Sequence, residues 1–200
     1  MLSAFAIAAM QDERTRIWHE ATGTVDPAGL MGIAEAQHRA NFDLWHEEDK
    51  ARDPAASDAE IAAVKHAIDR LNQQRNDLVE NLDTILLELA GEQNSSAPLH
   101  SETPGLIIDR LSILALKIYH TEEEAHRESA SQAHRQKNEA RLAVLKEQRS
   151  DLAGCLDALW AEVLAGTRRF KLYRQMKMYN DPELNPMMYR AADPAKADAG

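Results

Sequence analysis

Apolar residues in this chain recur at helical spacing, with no two-residue alternation. Between 57 and 91, Ile61, Val64, Ile68, Leu71, Leu78, Leu82, Ile85 and Leu89 follow a three–four rhythm that lines one face of a helix. Between 132 and 167, Leu142, Leu145, Leu152, Leu156, Leu159 and Val163 repeat it. The segment after Pro104 is different. Leu106, Ile107, Ile108, Leu111, Ile113, Leu114, Leu116 and Ile118 leave almost no polar face. This helix is therefore expected at the centre through Ile118, with Leu114 so deep that Leu114→Asp unfolds the protein. Beyond His120 it turns wholly polar.

Prolines at 27, 54, 98, 104, 182, 186 and 194 divide the chain, and a proline removes a donor and clashes with the preceding helical turn. Start signals stand beside them: Asp26-Pro27, the capping box Ser57 to Glu60, and Thr103-Pro104. Five helices are predicted, over 3–22, 27–51, 57–91, 104–130 and 132–167, followed by a basic C-terminal arm. The expected fold is all-α: an antiparallel bundle of five long helices, one domain over 1–190, with 191–200 as a disordered tail.

Composition narrows the class. Two hundred residues can bury one sizeable core unaided. The single cysteine, Cys155, excludes an internal disulfide and fits a reducing compartment; its place in an apolar stripe makes it a core residue. With 33 acids against 23 bases the net charge is −10, which argues against nucleic acid as a partner. No apolar run approaches the roughly 20 residues of a membrane span. The opening MLSAFAIAAM lacks the basic stretch of a signal peptide, so a cytoplasmic location is expected.

The candidate chemistry lies in polar residues at apolar positions, since a buried polar group needs a partner. Arg75 interrupts the stripe between Leu71 and Leu78, flanked by Asn72 and Asn76. On the fourth helix Asp109, Ser112 and His120 share a face, with Arg110 and Lys117 along its edge. On the second, His38, Trp45 and Asp49 fall on one side, with Asn41 and His46 adjoining. Two readings stay open. One is a buried network, for instance Asp109 with Arg75, that fixes helix register. The other is a pocket for a phosphate-bearing ligand, with Arg75, Lys117 and His120 converging as donors and Asp49 and Asp109 as acceptors or bases.

Two Glu-x-x-His pairs, Glu35 with His38 and Glu123 with His126, have the form of a di-iron ligand set. Among so many glutamates such pairs arise by chance, and no metal or other cofactor is expected. In Arg168 to Tyr179 five bases occur without an acid. That segment is either a strap over the acidic bundle or an anion-binding edge carrying Arg174, Lys177, Tyr179 and Asn180. The turn 180–186 suggests that it docks.

Four stretches together resemble a bacterial domain-of-unknown-function family, DUF4254, over about 12–189. They are Asn41 to Asp49 (NFDLWHEED), Ile68 to Asp77 (IDRLNQQRND), Thr103-Pro104-Gly105 with Asp109 to His120, and Lys177 to Pro182 (KMYNDP). The resemblance implies a setting near the glycosyltransferases of lipopolysaccharide and surface-polysaccharide assembly, and it assigns no catalytic residue. Two functions follow. The first is a helical accessory or scaffold protein that binds a glycosyltransferase or assembles as a homo-oligomer. The second is an enzyme or binder of a phosphorylated sugar or nucleotide sugar, using the inter-helix pocket.

Overall fold

Four of the five helices begin where a hydroxyl takes up a free backbone amide. Ser3 caps α1 (Ala4–Glu20), Ser57 caps α3 (Asp58–Ala90), Thr103 caps α4 (Pro104–His126) and Ser131 caps α5 (Gln132–Leu164). Each such cap contributes about 1 kcal/mol. At Ser57 the capping box is complete, since Glu60 returns the bond to the Ser57 amide. Helix α2 (Gly29–Lys50) has no side-chain cap and starts after Pro27. The computed structural model describes residues 2–21, 23–176 and 183–187. The expected tail 191–200 and residues 180–182 of the turn 180–186 lie outside these residues.

The fold is an all-α bundle, and α4 packs against all four other helices. Residue pairs give the directions. Arg75 meets Asp109 and Asp83 meets Gly105, so α3 runs against α4. Asp12 meets Arg149 and Ala4 meets Asp157, so α5 runs against α1. Arg14 pairs with Glu35, Thr15 with His38 and His19 with His46, so α1 and α2 run the same way. Gln37 and His38 meet Asp109 and Ser112 while His46 meets His120, which adds α4 to that direction. The extended return over 23–28 permits the parallel α1–α2 pair.

Helix α4 carries ten buried residues, including Ile108 and Leu111 at 0% exposure. The main core sets them against Ile7, Leu82, Leu86, Leu156, Trp160 and Phe170. Three expectations are corrected. Leu114 is half-buried and lines a surface cavity, because its neighbours Leu111 and Ala115 take the inward face. Cys155 is exposed in the same cavity, one position off the inward Leu156. On α3 the buried face drifts to Val79, Leu82, Asp83 and Leu86, leaving Leu89 56% exposed. A three–four stripe drifts around a straight helix by about 20° per seven residues. Here Asp83 also turns inward to accept the Gly105 amide at 2.7 Å.

That contact requires glycine at 105. A Cβ there would stand 2.8 Å from both the Asp83 carboxylate and the Val79 carbonyl, so the first turn of α4 lies almost on the α3 backbone. Burial pushes the Asp83 carboxyl up to about 6, against the pull of the Thr103 and Gly105 hydrogen bonds.

The arm docks through its first residues. Arg169 donates from its backbone to Pro98, His100 donates back to the Arg169 carbonyl at 2.7 Å, and Phe170 is buried at 1% exposure. Further on, Arg174 lies 3.7 Å from Glu80 and the Gln175 amide donates to the same carboxylate. Of the four arm residues expected to bind an anion, Arg174 is thus matched with an acid, as a strap requires. Lys177, Tyr179 and Asn180 lie outside the described residues.

Candidate functional site

The thirteen inter-helix candidates separate into a buried chain of hydrogen bonds, an open cleft, a cluster of rings and an outer edge. The chain crosses the bundle. Thr15 Oγ1 donates to the Gln11 carbonyl at 2.8 Å and has one proton to give, so it must accept from His38 Nε2 at 2.9 Å. The neutral His38 ring then accepts at Nδ1 from the Ser112 hydroxyl at 2.7 Å. Ser112 Oγ accepts from Asn41 Nδ2 at 2.9 Å, and the second Asn41 proton goes to Asp109 Oδ1 at 2.9 Å. Gln37 donates to the same carboxylate oxygen at 2.5 Å. Burial pushes His38 down to about 3, the direction this proton order requires. For His38, Asn41, Ser112 and Asp109 the network is the observed arrangement.

Where the chain reaches the surface it opens into a cleft of about 320 Å³ between α2, α3 and α4. Asn41, Trp45, Asp49, Asn72 and Arg75 line it, with Glu48 and Arg52 at the rim. Arg75 Nε forms a long ion pair with Asp109 at 3.8 Å, beyond hydrogen-bond reach, and that buried nitrogen has no hydrogen-bond partner. Asn76 does not line the cleft.

The expected convergence of Arg75, Asp109, Lys117 and His120 around one cavity does not occur. Lys117 is exposed and lines a different cavity with Arg110, Leu114 and Cys155. Arg110 holds Glu102 through two bonds of 2.9 Å. The helical repeat explains this: Lys117 stands five positions from Ser112 and eight from Asp109, which turns it off their face of α4 towards the exposed side. A third cavity, about 420 Å³ beside Tyr119, contains Lys146 and Arg149, paired with Glu122 and Asp12.

His46 and His120 join a residue that no sequence pattern singled out, His19 at the end of α1. His19 stacks on Tyr119, with centroids 4.2 Å apart, and meets His46 and His120 at 5.2 and 5.1 Å. Trp45 lies flat on His120. The Glu-x-x-His pairs do not form a metal set: both His38 nitrogens are bonded, Glu35 holds Arg14 at 2.9 Å, and Glu123 holds His120.

Gln11, Thr15 and Gln37 were also absent from the candidates. A signal for the first two exists, since Ile7, Gln11, Thr15 and Trp18 follow the three–four spacing of a buried stripe, and all four are buried.

Comparison with known proteins gives one positive finding. No curated protein and no solved structure matches the chain. Residues 32–172 match the family model described as "Protein of unknown function (DUF4254)". The match takes in α2, α3, α4 and α5, hence the whole cleft; α1 precedes it. With well over half of its length inside that match, the chain belongs to the DUF4254 family.

Proposed function

We propose that this protein is a ligand-binding accessory protein of bacterial surface-glycan assembly, and that the cleft at Arg75 takes the sugar of a phosphorylated sugar or nucleotide sugar. The observation that carries the reading is Arg75 Nε, buried at the wall of an open cleft without a hydrogen bond, while Asp109, its ion-pair partner at 3.8 Å, is already served by Gln37 and Asn41. A buried donor without a partner costs about 1–3 kcal/mol, which a ligand hydroxyl can recover.

Charge selects the part of the ligand. With Arg110 and Lys117 elsewhere, the cations Arg75 and Arg52 face the carboxylates of Glu48, Asp49 and Asp109. A lining of mixed sign suits hydroxyl groups, which donate and accept, better than it suits a bare phosphate. Trp45, Leu44, Ile113 and Leu116 supply apolar area for the C–H face of a ring. The glycan-assembly setting comes from the family resemblance. Thermal unfolding with UDP-glucose, glucose 1-phosphate, glucose and inorganic phosphate tests the proposal. Stabilisation by the sugar-bearing compounds and not by phosphate is expected. No shift with any of them, or a shift with phosphate alone, overturns it.

A further inference from the structure

Three helices that run in one direction bring three imidazoles together near their carbonyl ends. His19 of α1, His46 of α2 and His120 of α4 each offer one ring atom, and these atoms lie within 4.8 Å of one another. One nitrogen of each ring is already engaged. Nδ1 of His19 meets the Thr15 carbonyl at 2.7 Å, Nδ1 of His46 the Phe42 carbonyl at 2.8 Å, and Nδ1 of His120 the Glu123 carboxylate at 2.9 Å. Carbonyl and carboxylate oxygens only accept, so Nδ1 carries the proton in every ring. Each neutral imidazole is left with a lone pair on Nε2. For His19 and His120 that Nε2 is buried and has no partner.

Three acceptors cannot satisfy one another. A single water has two protons to give, enough for the two buried lone pairs of His19 and His120 but not for that of His46 as well. A cation satisfies all three together. We infer that His19, His46 and His120 form a binding site for one late first-row divalent ion, zinc foremost, with a fourth position open to water or another ligand.

The surroundings have the features of such a site. Three nitrogens at 2.0–2.1 Å from tetrahedral zinc stand about 3.3 Å apart, so side-chain rotations of modest size close the present separations. Each ring is oriented through Nδ1 by an oxygen, the arrangement that fixes the tautomer and raises the basicity of a ligating histidine. Tyr119 and Trp45 cover the faces of His19 and His120, and Phe42 lies against His19 and His46. These aromatics narrow the access of water. His19 lies in the last turn of α1, where the helix dipole favours a positive charge. The site shares no ligand with the Arg75 cleft, so the two proposals stand or fall separately.

Titration of the full-length, tag-free protein with cobalt(II) alone tests the inference. The expected result is one equivalent bound with the intense visible bands of low-coordinate cobalt, displaced by zinc. His46→Ala should remove the bands. Glu123→Gln, which keeps all three imidazoles, should weaken binding by about 10–100-fold. His134→Ala, away from the cluster, should bind as the unaltered chain does. If His46→Ala fails to fold, judged by circular dichroism, Glu123→Gln decides. Absence of one-to-one binding, or unchanged affinity in Glu123→Gln and folded His46→Ala, overturns the site.

Discussion

The indole of Trp45 lies flat against the His120 imidazole, with centroids 4.7 Å apart and planes 10° from parallel. Trp45 also forms a wall of the Arg75 cleft. One side chain thus separates the cleft from the imidazole cluster, and the shape of each depends on it. Trp45→Leu keeps an apolar side chain, though a smaller one, and removes the stack, which is worth about 0.5–1.5 kcal/mol. Urea denaturation should show a loss of that size, and UDP-glucose binding should weaken with it. An unchanged midpoint together with unchanged binding would contradict this placement.

Two buried groups act on stability in opposite senses as pH changes. His38 is lowered from 6.5 to about 3, so between those values the unfolded chain holds a proton that the folded chain lacks. Its contribution is full above about pH 6.5 and fades as the pH falls towards 3. Asp83 is raised from 3.8 to about 6, so there the folded chain holds the extra proton. Its contribution is full below about pH 3.8 and is lost as the pH rises through 6. Each slope is about 1.4 kcal/mol per pH unit, and between roughly pH 4 and 6 the two oppose one another. Asp83→Asn, which keeps an oxygen for the Gly105 amide, removes one side. Its stability should climb with pH across that window by about 1.4 kcal/mol per unit more than that of the unaltered protein. Parallel curves from urea melts at several pH values would refute the assignment.

The position of α4 is tested by a pair of substitutions three residues apart. Leu111 is fully buried, whereas Leu114 is half-buried beside an open cavity. Leu111→Asp puts a charge in the core and should cost more than about 4 kcal/mol, enough to abolish cooperative unfolding at ambient temperature. Leu114→Asp should fold and melt cooperatively. Equal damage from both would place Leu114 in the core after all.

The helices were legible because their signals are local. Capping side chains and a three–four apolar rhythm act over a single turn, which is why Ser57, Thr103 and the stripe on α5 could be read directly. The apolar length of α4 likewise announced a central helix. The residues around the cleft were recognisable because Arg75 stands where an apolar residue would continue the stripe, with Asn72 flanking it and Asn41 adjoining the polar side of α2. Their partners were not recognisable. Which face of α4 meets α3, and which meets α5, depends on packing between segments far apart in sequence, and this separates Lys117 from Arg75. His19 was missed for the same reason: its companions come one each from two other helices, so no spacing along the chain marks it.

The central claim is that Arg75 serves a ligand and is not needed to hold the bundle together. Arg75→Met keeps most of the aliphatic stem and removes only the guanidinium. Asp109 retains its bonds from Gln37 and Asn41 in the variant, and Arg75 stands too far from it for a hydrogen bond. Chemical denaturation and UDP-glucose calorimetry on this one variant, beside the unaltered protein, are the direct measurement. Stability within about 1 kcal/mol together with loss of binding is the expected result, since the ion pair is long at 3.8 Å and Asp109 keeps both amide donors. A loss of several kcal/mol in the variant, with no UDP-glucose binding by the unaltered protein, would contradict the claim and leave Arg75 as a structural side chain.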